Sequence, residues 1–374
     1  MTRKLSTLLR DAWVIAGITL LCLLLLDALL KSVVPESARF ARVDPDVSAP
    51  EAANTDAMSG YDWADEYFRE LRDARRTRWQ PYVYWKREPF DGRYINIDQD
   101  GFRQSWQPPG HETAQLAELW VLGGSTVWGT GARDAHTIPS YLGQLLADQG
   151  RPVRIVNLGE SGYVSGQELA QLVDRLRQGR RPEVVVFYHG VNDVFAALQH
   201  DRAGIPQNES HRARDFRVTD GLDNWLEAFP RVLEGVQRLA AVLGQPPEMA
   251  NVDTLADAIA TQYQVNVRAA AGLAETFGFQ SRFFWQPTVF SKNKLGGDEQ
   301  QILLSSLQRH RDLQLAVDRR VKQVMDGQPQ WTSLTDVLDH RPLFMDFCHL
   351  SEAGNRQIAE AMLPQLLPSQ STRD

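Results

Sequence analysis

Leu119-Trp120-Val121-Leu122-Gly123-Gly124-Ser125-Thr126-Val127-Trp128-Gly129 is the stretch from which the fold is read. Its first half is a short apolar run, a buried strand over Glu118–Leu122, and a helical pattern follows the serine. Between them the glycines permit a tight turn and let another group approach the backbone closely. A serine at the carboxyl end of a strand stands where open α/β sheets place their chemistry. Taken alone, these residues are most simply a strand-to-helix turn; the rest of the chain has to decide.

Downstream the same unit recurs. A helix begins near Thr137, with Pro139 in its first turn, and runs to Gly150. Residues 153–158 form a second strand, and Gly159-Glu160-Ser161-Gly162 turns it into a helix. Ser165 with Glu168 three residues on reads there as a capping box, and Gly179 ends that helix. The third strand, Val184–Tyr188, is apolar throughout, as a parallel strand covered on both faces should be. It runs out in His189-Gly190-Val191-Asn192-Asp193. Residues 201–250 break the rhythm with a polar loop and an amphipathic helix around Trp225–Leu243, read as an insertion near the site and a lid candidate. A long helix over 252–277, a strand over 279–285, a second long helix over Gln300–Met325, a short strand near Thr332–Leu334 and a final helix complete the chain. This alternation predicts a three-layer α/β/α fold around a mainly parallel sheet, without internal repeats.

Carboxyl ends of parallel strands share one sheet edge, so Ser125, Gly162 and Asn192 can meet in one crevice. Near the C-terminus Asp346-Phe347-Cys348-His349 supplies a histidine with a carboxylate three residues before it. Nucleophile, base and orienting acid are then all present. Singly, each has a plainer use. Asn192 and Asp193 suit capping of the helix after the third strand, Gly162 suits a loop, and Asp336 and Asp339 are rival partners for His349. His136 and His189 read as packed or surface residues, and Cys348 as a small buried filler.

The ordered set resembles the SGNH (GDSL-like) hydrolases, whose four blocks are recognisable between Leu119 and Leu367. The resemblance implies a flavodoxin-like α/β/α hydrolase in which Ser125 attacks, His349 takes its proton and Asp346 orients the imidazole. It also implies an oxyanion hole built from the backbone N–H groups of Ser125 and Gly162 and the side-chain amide of Asn192, with no cofactor and no metal. Block I of that family usually reads Gly-Asp-Ser; here Gly124 replaces the aspartate, which loosens the turn and leaves the chemistry intact. The pattern is not the G-x-S-x-G elbow, because Val127 stands where its last glycine belongs.

Ahead of this domain, Arg3, Lys4 and Arg10 precede an uncharged run from Trp13 to Leu26 that continues to Val34 through Asp27 and Lys31. Those two charges stand at i,i+4 spacing and can pair toward an interface. Counting them in, about 22 residues at roughly 1.5 Å each reach across a bilayer core. With no A-x-A site and Leu21 before Cys22, the segment reads as an uncleaved signal anchor at residues 1–34, basic end inside. Residues 35–60 read as a linker, 61–115 as an aromatic-rich extension with a helix over Asp62–Arg76 and a strand over Arg93–Asp98, and 116–370 as the hydrolase-like domain. The aromatics of Trp79–Trp85 are expected to pack the extension on that domain, with a sugar-stacking surface as the alternative.

A net charge of -7 argues against nucleic acid as a partner, and two cysteines build no disulfide framework. Eight histidines without H-x-x-x-H or C-x-x-C spacing give a zinc site no support. The expected protein is a single-pass inner-membrane esterase with its catalytic domain in the periplasm or outside, acting on O-acyl, above all O-acetyl, groups of envelope polysaccharide. An O-acyltransferase with the same triad and a non-catalytic module of a polysaccharide-assembly complex are the alternatives.

Overall fold

The computed structural model describes residues 2–33, 52–220 and 250–367. They group into two units, residues 1–43 with 208–250, and residues 44–207 with 251–374. In the first, Thr2–Val33 is a helix most of whose apolar side chains between Trp13 and Leu26, such as Ile15, Leu21 and Leu25, are exposed. Among the described residues no helix is long and apolar enough to cross a membrane, so the expected spanning segment finds no support in the fold. The side chains of Asp27 and Lys31 lie outside the described residues, as does the helix expected over Trp225–Leu243. The described part of the insertion forms a helix over Glu209–Asp220.

The second unit holds the sheet. Two short hairpins come first, β1 (Thr77–Gln80) with β2 (Tyr84–Arg87) and β3 (Phe90–Asp91) with β4 (Asn96–Ile97). The main strands are β5 (Glu118–Gly123), β6 (Arg154–Asn157), β7 (Val184–His189), β8 (Gln280–Trp285) and β9 (Trp331–Ser333). They are all parallel and ordered β6-β5-β7-β8-β9. In that order the chain leaves β5 in one direction to reach β6 and returns past it to β7. The crevice of such a sheet opens at this reversal, between the carboxyl ends of β5 and β7.

Leu119, Val121, Ile155, Val184 and Val186 bury one face of the sheet under the Ile138–Asp148 and Glu352–Met362 helices. The helix over Val252–Phe277 packs with those over Gln308–Val324 and Ser165–Arg177 as a second helical layer. The long helix expected over Gln300–Met325 is instead two, Glu299–Ser305 and Gln308–Val324. Ser305 and Ser306 both donate their hydroxyls to the carbonyl of Ile302. Such back-bonding competes with the helical ladder and ends it.

The capping box expected at Ser165 also takes another form. Val164 is the N-cap, and the buried carboxylate of Asp193 accepts from the Ser165 backbone N–H and hydroxyl. Glu168 turns away to pair with His189 at 2.7 Å. Asp193 thus caps a neighbouring helix, not its own.

Residues 52–60, expected as linker, are built into the fold: Ala52, Ala57 and Met58 are buried with Trp63, Tyr67, Phe68, Tyr94 and Trp128. The strand expected over Arg93–Asp98 shrinks to β4. One oxygen pair, the carboxylate of Glu70, takes the consecutive N–H groups of Arg93, Tyr94 and Ile95 at 3.0, 2.9 and 2.7 Å, which removes them from any ladder. The aromatic stretch divides. Trp85 reaches the main domain through its indole N–H, while Trp79 and Tyr82 are exposed.

Candidate active site

Ser125 begins a single helical turn, Ser125–Trp128, directly after β5. The turn is tight enough to need its glycines. A Cβ on Gly123 would lie 2.3 Å from the carbonyl oxygen of Tyr188 on the neighbouring strand. The extension holds this turn from behind. Arg103, fully buried, donates to the carbonyls of Gly129 and Ala132 at 2.6 Å each and to Asp134 at 2.9 Å. The hydroxyl of Tyr67 donates to the Gly129 carbonyl and accepts from the Gly131 N–H. Sequence reasoning missed both residues, since neither spacing nor motif ties them to Ser125.

His349 arrives from the segment before the last helix. Its position is fixed upstream, where Glu299 accepts from the N–H groups of Leu343 and Phe344 while paired with the buried Lys292 at 2.6 Å. Nε2 of His349 lies 2.7 Å from Oγ of Ser125, and Nδ1 lies 2.7 Å from Oδ2 of Asp346. The other carboxylate oxygen of Asp346 accepts from the backbone N–H of His349 at 2.7 Å and of Cys348 at 2.8 Å. A carboxylate only accepts, so the Nδ1 proton points at Asp346 and Nε2 is left free to take the serine proton. The rival carboxylates are engaged elsewhere, Asp336 with Lys322 and Asp339 with Arg341 and Gln357. Ser125 and His349 are both 4% exposed, so the pair works largely out of water.

Burial alone would favour neutral forms here, but the facing charges outweigh it. The His349 pKa is held well above the ordinary imidazole value by Asp346, and that of Asp346 is held below the ordinary carboxylate value by His349 and the two backbone donors. A base works only when unprotonated. The acidic limb of kcat/KM is therefore expected above about 6.5, the ordinary imidazole value, with activity present above the limb and lost below it. A pH–rate profile with its limb at or below that value would contradict the assignment. Burial pushes the Cys348 thiol up to about 11, so it stays protonated and is no second nucleophile.

Of the expected oxyanion donors, Asn192 lies beside the turn that carries Ser125 and bonds the residue after Gly162. Gly162 has φ +78°, a conformation that suits glycine. The backbone N–H groups of Ser125 and Gly162 bond to no other described residue. Asn192 donates from Nδ2 to the Tyr163 carbonyl at 2.9 Å and accepts from Gln207 at 3.2 Å, which leaves its second amide proton available. A Cβ on Gly124 would lie 2.3 Å from this Nδ2. The absent aspartate of block I thus has a physical reason: the Asn192 amide fills the space that any side chain at Gly124 would enter. Gly124→Ala is expected to lower kcat by about 10²–10³-fold with KM nearly unchanged, the loss typical of one oxyanion donor. Combining it with Asn192→Ala should cost no more than Asn192→Ala alone, because both remove the same donor. Additive losses in steady-state kinetics would refute this coupling.

Among the described residues, Asp346, Cys348 and His349 also place ligand atoms within 4.8 Å of one another. Their hydrogen bonds to each other and the protonated thiol already commit these atoms to the serine site. His136 bonds Tyr141, and His189 lies buried between Glu168 and Tyr263.

Comparison with known proteins agrees with this geometry. Residues 121–290 match the GDSL-like Lipase/Acylhydrolase family, a span that holds Ser125, Gly162 and Asn192 and ends before Asp346 and His349. No protein of curated function matches the chain. Similar solved structures include the lipase Lip_vut3 from a goat rumen metagenome, at 14% identity over 67% of this chain and 97% of that one, with a TM-score of 0.40. A carbohydrate acetylesterase family member from Sinorhizobium meliloti is 13% identical over 67% and 97%, with a TM-score of 0.37. The acetyl xylan esterase AlAXEase is 14% identical over 67% and 100%, with a TM-score of 0.39. Over residues 121–290 the chain is thus similar to the GDSL-like lipases and acylhydrolases, which are serine ester hydrolases, and the contact between Ser125 and His349 is the one such chemistry uses.

Proposed function

We propose that the protein hydrolyses O-acyl esters, above all O-acetyl esters, on envelope or extracellular polysaccharide, through an acyl-enzyme on Ser125. The observation that carries the chemistry is the 2.7 Å contact between Ser125 Oγ and His349 Nε2, continued by the 2.7 Å contact to Asp346. His349 takes the hydroxyl proton as Oγ attacks the ester carbonyl carbon. The oxygen that gains the negative charge is received by the N–H groups of Ser125 and Gly162 and the Asn192 amide. As the tetrahedral species collapses, the C–O bond to the sugar breaks and His349 returns its proton to the departing alcohol. Water then attacks the acyl carbon and gives a proton to His349; as the bond from that carbon to Oγ breaks, His349 returns the proton to Oγ and the carboxylic acid leaves.

The envelope setting rests on the N-terminal sequence, not on a spanning helix in the fold: the run Trp13–Leu26 is apolar, and side chains such as Trp13, Ile15 and Leu25 are exposed along it. The basic residues before that segment favour an internal N-terminus and an exported catalytic domain. Acyl groups on surface glycan are then the esters within reach. The test is release of acetate from acetylated glycans by the full chain in detergent, beside Ser125→Ala, with and without a sugar acceptor. Hydrolysis that vanishes in Ser125→Ala supports the esterase. Transfer to the acceptor with little hydrolysis replaces it by an acyltransferase on the same serine. Inertness of both proteins on acetylated glycan rejects the substrate.

A further inference from the structure

Between the β1–β2 hairpin, the turn at residues 98–102 and the Ser165–Arg177 helix lies a cavity of about 150 Å³. That is well over the roughly 10–15 Å³ that one water needs by the same measure. It contains none of Ser125, Asp346 or His349. Lys86 and Arg175 line it, with Arg78, Phe102, Asp100 and Asp174. Lys86 is 8% exposed, and its ammonium makes no hydrogen bond or ion pair with any described residue. It sits 3.1 Å from the centroid of the Phe102 ring. The guanidinium of Arg175 lies 4.8 Å from the same centroid, and its Nε is buried without a partner.

Two like charges on one ring, Lys86 buried and Arg175 half-buried, are costly, and cation–π attraction of about 0.5–2 kcal/mol each offsets only part of that. The carboxylates nearby do not settle it. Asp174 accepts from Gln178, Asp98 from the Phe102 N–H and Glu160 pairs with Arg87, and none of these nor Asp100 comes within ion-pair distance of Lys86 or Arg175. Burial accordingly lowers the pKa of Lys86 to about 7 and lowers that of Arg175, although Glu160, Asp98 and Asp100 pull Lys86 upward. Gly101, with φ +80°, lies against the Lys86 stem: a Cβ on it would lie 2.5 Å from the Arg87 carbonyl oxygen and 3.0 Å from Cγ of Lys86. At the rim the exposed Tyr82 also holds a positive φ, of 69°. A non-glycine residue in that region marks stored strain.

We propose that this cavity binds a small oxyanion, a phosphate or a carboxylate group, between Lys86 and Arg175. An anion there supplies the counter-charge that both cations lack, and the Arg175 fork suits planar or tetrahedral oxygens. The full-length protein is titrated with inorganic phosphate and, separately, with glucuronate, at constant ionic strength held by NaCl, and Tm is read. At least one anion is expected to raise Tm saturably. Lys86→Met, which keeps the stem, is expected to weaken that binding at least tenfold while raising the Tm without anion, because it removes an uncompensated buried charge. Arg175→Gln serves as the second variant should Lys86→Met not fold, with the same loss of binding expected. A response to phosphate identifies a free or esterified phosphate as the ligand, and a response to glucuronate a carboxylate such as that of an acidic glycan. The proposal fails if neither anion shifts Tm beyond NaCl, if the variants respond like the wild type, or if a folded Lys86→Met has an anion-free Tm below that of the wild type.

Discussion

Ser125→Ala is expected to lower kcat for ester hydrolysis by about 10⁶-fold, to the level left by binding and the oxyanion donors alone. The size follows from the loss of the covalent route. Without Oγ there is no acyl-enzyme, and His349 has no hydroxyl to deprotonate. The fold should survive, because among the described residues Oγ bonds only Nε2 of His349. Circular dichroism unchanged from wild type, with steady-state rates near background, is the predicted pair of results. A fall of tenfold or less would mean that another nucleophile carries the reaction.

Asp346→Asn is expected to cost about 10⁴-fold in kcat, the loss seen when the orienting acid of such a triad becomes an amide. Asparagine keeps an oxygen for the backbone N–H groups of Cys348 and His349, which Asp346 now holds at 2.8 and 2.7 Å. The local turn is therefore preserved. What changes is the atom facing Nδ1 of His349: an NH₂ donor replaces an acceptor. The imidazole must then carry its proton on Nε2, pointing at Ser125, where it cannot take the serine proton. The acid-side pKa should fall at the same time, since the carboxylate that raises His349 is gone. A residual activity within tenfold of wild type, or an unmoved acid limb, would show that Asp346 does not set the histidine.

Much of this architecture is legible in the chain because the signals are local. Val184–Tyr188 declares a doubly covered strand by being apolar throughout, and Thr137 with Pro139 declares a helix start that the Thr137 hydroxyl caps at Ser140. The parallel order places Ser125 and Asn192 just beyond the carboxyl ends of adjacent strands, β5 and β7, so the crevice follows once the alternation is read. What escapes is decided by tertiary partners. Glu70 captures the N–H groups of Arg93–Ile95 from 23 to 25 residues away, and no periodicity announces it. Asp193 caps a helix 28 residues before it in the chain, displacing the capping box that Ser165 and Glu168 suggest. The break between Glu299–Ser305 and Gln308–Val324 carries no glycine or proline, only two serines that turn inward on Ile302. The aromatics of the extension look alike in sequence, yet Tyr67 supports the turn after Ser125 while Tyr82 faces solvent. Gly124 reads as a missing aspartate until Asn192 is seen to fill its place.

The central claim is that Ser125, driven by His349, is the nucleophile. Reaction with a fluorophosphonate, followed by intact mass and peptide mapping of wild type and Ser125→Ala, tests it most directly. The account predicts one adduct, on the peptide containing Gly124-Ser125-Thr126, absent from Ser125→Ala and slowed in Asp346→Asn. An unlabelled wild-type protein, or an adduct that persists in Ser125→Ala, would contradict it.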